Sequence, residues 1–430
     1  MGAIPAKIKK FLQGSEFRSV VYMGCQCVGL VLAFLINVVL TNYCADSGVY
    51  GQYKYATNFI LTVPAICSMG ITWSCAAVIA KNETRNKNAI ITASVLWMTV
   101  ISLLTTAVLY IASFILPSFG ITALTDVRTV FPFVIVFMLQ KLVNQVYSGL
   151  GQTFQLSLFS LIPNVVIMVG MWLMIWRTGT LSYTQCILLY LCAYLVSCLP
   201  KLLRVKYDLS GMRAASKTLL QDVKSSGFKV HISTVFTTSA TQIIALFCGS
   251  VFGYAEYGYY SLAASLSIIF QTIGSTVAVV NFKRYSNVDR IPKKDFLFML
   301  VIGGVAYLAM ILLIDKIFYW FYPVEYAPTI YYLKLLCISY MMYGFANIFN
   351  RFFIGKGQGH KVMKNSIIVA ITNVVVSIPM IWLFEIQGLV IAALVCGAVC
   401  LIAYCIDYKK WLKNNALSAG KKAQTPGGNI

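Results

Sequence analysis

Apolar residues along this chain gather into long runs separated by short polar stretches, from near Val20 to Tyr404. A helix needs about 20 such residues to cross a hydrocarbon layer of about 30 Å. The pattern predicts an all-α polytopic membrane protein of about twelve spans. They fall at roughly 19–40, 56–80, 89–116, 129–149, 157–176, 184–200, 230–252, 258–281, 296–319, 329–350, 365–384 and 388–407. No soluble domain of ordinary size fits between them. The first run follows Lys7, Lys9, Lys10 and Arg18 and exceeds the apolar core of a cleavable signal, so it reads as a retained span.

The pattern also repeats. Gly51, Tyr53 and Ala56 return as Gly258, Tyr260 and Ala263, 207 residues later. Gly149, Gly151 and Gln152 return as Gly355, Gly357 and Gln358 after 206, and Asn164 with two valines returns at Asn373 after 209. Three motifs in one order at nearly one offset indicate a duplication of half the chain. Six spans per copy is an even number, so both halves start on the same side. The repeat is therefore parallel, and it predicts two parallel six-helix bundles around a central cavity. The expected segments are an N-terminal half (1–210), an inter-half linker (211–229), a C-terminal half (230–408) and a disordered polar tail (409–430).

Composition agrees with the spans: 59% of residues are hydrophobic, 11% are charged and the mean hydropathy is +0.78. The net charge of +21 would suggest nucleic acid in a soluble protein, but the positions of the charges give another answer. Of 34 Lys and Arg, all but Lys54, Arg128, Lys141, Arg177, Lys316 and Lys334 fall on one side of the predicted spans. By the positive-inside rule both termini are cytoplasmic. The expected partners are membrane lipids, with anionic headgroups among them, and no nucleic acid. Leu219, Leu220 and Val223 give the linker a weak apolar stripe. It suits a short helix on the inner membrane surface, or else a basic linker that holds orientation. Twelve of the thirteen cysteines lie in or beside apolar runs and no pair has metal-ligand spacing, so no metal or cofactor is expected.

Polar groups inside spans are costly and mark candidate sites. In span four, Lys141, Asn144, Gln145 and Ser148 share one helical face. Span ten carries Lys334, Asn347 and Asn350, which pair through the 206-residue offset with Arg128, Lys141 and Asn144. Matched faces suit two helices lining one cavity; interhelical hydrogen bonding and snorkelling are the alternative. Lys334 and Asn347 point about 140° apart on one helix, so a single narrow lumen cannot take both without a twist or kink. Lys54 breaks the symmetry, since its counterpart is Ser261. The candidate substrate-binding set is Lys54, Arg128, Lys141, Asn144, Lys334, Asn347 and Asn350. Span seven opens with His231 and a polar run (Thr237, Thr238, Ser239, Thr241, Gln242) suited to a bundle interior. His231 either titrates, allowing proton coupling, or is simply solvated at the cytoplasmic end. Pro64, Pro163 and Pro379 are expected to kink spans two, five and eleven. No carboxylate lies near the middle of any span, and no catalytic constellation is present, so the protein reads as a non-enzyme.

The stretch Asn37 to Thr41, Gly48 to Tyr53 and Ala56, followed by the basic 81–88 loop, resembles the opening of polysaccharide flippases. These are the O-antigen transporters (Wzx type) of the multidrug/oligosaccharidyl-lipid/polysaccharide exporter superfamily. The second copy around Glu256 to Ala263 and the parallel halves fit the same family, over roughly 17–407. The resemblance implies translocation of an undecaprenyl-pyrophosphate-linked oligosaccharide, an O-antigen or capsule repeat unit, across the bacterial inner membrane to the periplasmic leaflet by alternating access. It also implies a lipid-linked substrate and companionship with other polysaccharide-assembly membrane proteins. The alternatives are an ion-coupled multidrug exporter of the same superfamily and, from another class, a membrane polysaccharide polymerase or glycosyltransferase. The first generally needs an acid inside the bundle, and the second needs clustered acids or a large outer loop.

Overall fold

The computed structural model describes residues 15–81, 87–119, 124–150, 152–228, 231–232, 235–236, 240–281, 284–285, 288–356 and 358–423. Among them the chain is helical, with no strand. The helices are α1 (Ser15–Tyr43), α2 (Ser47–Cys67), α3 (Ile71–Lys81), α4 (Lys87–Ile115), α5 (Val134–Gly149), α6 (Thr153–Thr178) and α7 (Tyr183–Leu203). They continue with α8 (Met212–Asp222), α9 (Ala240–Phe252), α10 (Tyr254–Val280), α11 (Lys293–Phe321), α12 (Pro328–Gly355) and α13 (Gly359–Ala423).

Eleven of the twelve predicted spans land on these helices, one of them with a break, and span seven is described as a continuous helix from Ala240 onward. Span two is α2 plus α3, bent by 65° across Ser68, Met69 and Gly70. Spans eleven and twelve are the two limbs of α13, which is not one rod. Glu385 sits at φ 53°, ψ −130°, outside helical space. The Lys364 ammonium meets the Asp407 carboxylate at 3.3 Å, and these residues stand symmetrically about Glu385, so the limbs fold back on each other. Gly388 permits the reversal, since a Cβ there would fall 2.0 Å from the Met380 carbonyl. Span five passes Pro163 as one helix. Of span seven, Thr237, Thr238 and Ser239 lie outside the described residues.

Two compact units result: residues up to Leu262 together with Phe321–Ala327, and Ala263–Trp320 together with residues from Pro328 onward. In the first, Ile71, Cys75 and Ile79 of α3, Ala89, Ala93 and Met98 of α4, and Val134, Met138 and Leu142 of α5 form one buried cluster. Ala215 and Leu219 of α8 complete it. The linker helix therefore exists, but its apolar stripe is turned onto the bundle rather than the bilayer. The backbone N–H of Asp208 ties the approach to Thr92 Oγ1 at 3.0 Å. Hydrogen bonds from the Ser210 hydroxyl and the Gly211 amide hold the Asp208 carboxyl below its usual range.

The duplicated glycines meet. A Cβ on Gly51 would lie 1.7 Å from the Tyr254 carbonyl, and one on Gly258 would lie 3.1 Å from Gly51 Cα. Small residues let helix backbones approach this closely in a membrane, and tyrosines surround the contact. Asn58 donates to Tyr257 Oη at 2.7 Å, and Tyr326 stands edge-on to both Tyr50 and Tyr259.

In the second unit, α10, α12 and the limbs of α13 enclose Met299, Ile348, Phe352, Phe353 and Tyr404. Tyr285 Oη donates to Asp295 (2.9 Å), and the Ile291 amide donates to Tyr408 Oη (2.9 Å). Trp176 and Trp382, equivalent through the repeat, are 83% and 88% exposed near the outer ends of spans five and eleven. That is where an interfacial aromatic belt belongs.

Candidate functional site: the break in span two

The break follows from local sequence. Pro64 lacks an N–H and weakens the last turn of α2. Met69 and Gly70 both hold positive φ, at 46° and 81°, which ends the helix. A helix that stops inside a membrane leaves its last four carbonyls without partners and without water.

Two cationic or ionisable side chains from other spans supply the donors. Lys141 Nζ, from α5, donates to the Pro64 carbonyl at 2.9 Å and reaches Ser68 Oγ at 3.4 Å. His231 Nε2 lies 2.9 Å from the Ile66 carbonyl, and its Nδ1 lies 3.5 Å from Ser68 Oγ. A carbonyl only accepts, so Nε2 carries the proton. In the neutral ring Nδ1 then accepts from Ser68, which itself accepts from Lys141, and the donor directions agree. Positive charge at a helix C-terminus is also favoured by the macrodipole. His231 is only 4% exposed. The solvated alternative from sequence is thus corrected: the histidine turns inward because the break needs a donor.

The turn has a third neighbour. A Cβ on Gly70 would lie 2.7 Å from Gly227 backbone atoms, and one on Gly227 would lie 2.0 Å from Ser74 Oγ. Val223–Gly227, the π-helical continuation of the linker helix, therefore rests on the break. One turn beyond Lys141, Asn144 Oδ1 is buried with no hydrogen-bond partner among the described residues.

The other candidates sit elsewhere. Lys54 is half-buried on α2 with its ammonium 5.6 Å from the Tyr50 ring centre. Arg128 donates to Ser113 Oγ at 3.0 Å and to the Ser113 carbonyl, and stacks over Phe114, closing the end of α4. In the second unit, Lys334 Nζ contacts both Asp315 oxygens at 2.9 Å. Asn347 Nδ2 donates to Ser275 Oγ (2.8 Å), and Asn350 Nδ2 donates to Tyr404 Oη (3.0 Å). Within its unit each of these three is bonded to a different helix. The angular separation of Lys334 and Asn347 is met by bonding to α11 and α10 respectively. Of the seven candidates, only Lys141 is bonded to the break, and Asn144 lies one helical turn from Lys141 on α5. His231 and Ser68 complete that cluster. Sequence signals for them existed in the polar start of span seven and in the offset of 207 between Ser68 and Ser275.

No metal-competent cluster of His, Cys, Asp and Glu occurs among the described residues.

Residues 18–282 match the protein family described as "Polysaccharide biosynthesis protein". No curated protein sequence matches the chain. Among solved structures, it is similar to one titled lipid II flippase MurJ in an inward closed conformation. The TM-score is 0.69 and the identity 14%, over 95% of this chain and 94% of that one. It is similar also to an inward-facing multidrug resistance MATE family transporter of the MOP superfamily. There the TM-score is 0.68 and the identity 15%, over 92% of this chain and 99% of that one. At such identities the likeness shows the fold alone.

Proposed function

The chain belongs to the polysaccharide biosynthesis protein family, and from that premise we propose that it is a flippase for an undecaprenyl-pyrophosphate-linked oligosaccharide. It would move an O-antigen or capsule repeat unit from the cytoplasmic to the periplasmic leaflet of a bacterial inner membrane, by alternating access. The observation that carries the reading is the family match over residues 18–282, joined to a fold similar to transporter structures over nearly the whole chain.

The physical task fits the residues. A pyrophosphate cannot cross hydrocarbon unaided, because burying an isolated charge costs tens of kcal/mol by a Born estimate. Cations and amides within the spans lower that barrier, while the prenyl chain stays in lipid. An inside-negative potential favours outward movement of the anion by about 2.3 kcal/mol per charge per 100 mV. In this reading Lys141 and Asn144 meet the pyrophosphate, with Lys54, Arg128, Lys334, Asn347 and Asn350 as the wider substrate-binding set. The process is translocation, with no bond made or broken.

The test is complementation: the chain is expressed in cells deleted for a known polysaccharide flippase, and surface polysaccharide is scored. Restored export is expected. Failure with normal membrane insertion, together with sodium- or proton-dependent dye efflux, would replace this reading with the multidrug exporter, which the likeness to MATE structures supports.

A further inference from the structure

Lys141 and His231 cap the same helix end but are placed differently. His231 is enclosed and bonded through both ring nitrogens. Lys141 is half-buried, its ammonium rests at the tip of a four-carbon stem, and its main partner is a neutral carbonyl at 2.9 Å. A neutral carbonyl is a weaker partner for an ammonium than an anionic phosphate group. One turn along α5, the Asn144 Oδ1 is buried without a donor among the described residues, so turning the side-chain amide toward a ligand breaks no bond at that oxygen.

We propose that Lys141 is a switch with two mutually exclusive partners, the Pro64 carbonyl of the broken span and a diphosphate ester carried by the cargo. When the diphosphate arrives, Lys141 leaves Pro64, Asn144 turns its amide to the anion, and the end of α2 loses one of its two caps. His231 stays on Ile66, so the joint loosens without melting. The positive-φ turn at Met69 and Gly70 is where the backbone can change angle, and Gly227 resting on Gly70 passes that change to the inter-half linker. Binding of cargo is thereby coupled to the bend of span two. His231 is a positioning residue in this scheme, since it holds the joint while Lys141 is away. The inference rests on the flippase reading for the identity of the anion, although the joint itself is independent of it.

The experiment is hydrogen–deuterium exchange on the full chain in detergent, following the amides of residues 65–72, with farnesyl pyrophosphate as probe and farnesol as neutral control. Farnesyl pyrophosphate should speed exchange of those amides about tenfold, within the range of local opening reactions, while farnesol should not. Lys141→Ala should exchange fast without probe and ignore it, and Lys141→Arg should keep the response. His231→Gln, which retains a donor for Ile66, should behave as the native chain, whereas His231→Leu should exchange fast throughout. The proposal is overturned if labelled farnesyl pyrophosphate does not bind, if it binds without changing exchange at 65–72, or if Lys141→Ala responds like the native chain. Successful complementation with a silent joint would sink this inference alone. A responsive joint with failed complementation would keep the switch and reject the polysaccharide cargo.

Discussion

Spans two and eight occupy equivalent places in the duplication, yet one is broken and the other is a single helix. At the 207-residue offset Pro64 faces Gln271, Ser68 faces Ser275, Met69 faces Thr276 and Gly70 faces Val277. The serine is retained, and so is its bond to the fourth span of its own half. Ser68 is met by Lys141, Ser275 by Asn347. What differs is reach. In the second half Gly274 packs against Gly344, where a Cβ would lie 2.3 Å from the carbonyl, and a short amide suffices. In the first half Cys67 and Met138 hold those positions, the helix has ended, and a lysine spans the gap to its carbonyls. The duplication kept a contact and turned one copy into a joint.

The largest expected effect probes the duplicated glycines, which look alike in sequence. Gly51→Ala places a methyl 1.7 Å from the Tyr254 carbonyl, and backbone must move; Gly258→Ala meets its nearest atoms at 3.1–3.3 Å. The first should destabilise the fold by ~3 kcal/mol or abolish export, the second by ~1 kcal/mol, in the range of overpacking costs. Thermal unfolding in detergent and surface-polysaccharide export both measure it. Equal effects at the two sites would mean the contact is not as asymmetric as described.

Next comes the capping pair. Lys141→Met strips a buried carbonyl of its charged donor and should cost ~2–3 kcal/mol. Asn347→Ala loses one interhelical hydrogen bond, about 0.6 kcal/mol on average between membrane helices. If the thermal midpoint falls further for Asn347→Ala, the capping role of Lys141 is wrong. Gly70→Ala should follow at ~1–3 kcal/mol, since it strains a positive φ and crowds Gly227, whereas Val277→Ala at the equivalent point should be milder. A limited-proteolysis assay of the linker reads this directly, because only Gly70→Ala should expose Val223–Gly227.

Much of this was legible in the chain. Apolar run length located the spans, charge sidedness predicts the orientation, and the offset identified which residues correspond. The locations of joints were harder. Pro64 announced a kink, but Pro163 sits in an unbroken helix, so proline alone does not decide; the positive-φ pair at Met69 and Gly70 does. The reversal at Glu385 left only a short gap between two apolar runs. Site residues were legible as polar groups inside spans, but their partners were not. A lysine that caps a helix and a lysine that waits for a ligand have the same sequence signature. Partner choice depends on which backbone carbonyls are left orphaned, and that is settled only once the helix is seen to end.

The smallest effect is also the most discriminating, because it should invert the order of sensitivity between the halves. Ser275→Ala leaves the half-buried Asn347 Nδ2 without its partner at 2.8 Å, a loss of ~1 kcal/mol. Ser68→Ala removes two longer contacts, 3.4 Å to Lys141 and 3.5 Å to His231, while each of those side chains keeps its carbonyl at 2.9 Å. Its cost should stay below ~0.5 kcal/mol, the level of a substitution that strands no group. The half that depends more on its cation should therefore depend less on its serine. Parallel thermal midpoints of the two variants test that crossing. A larger loss for Ser68→Ala would mean that the hydroxyl, not the two carbonyls, is what Lys141 and His231 hold.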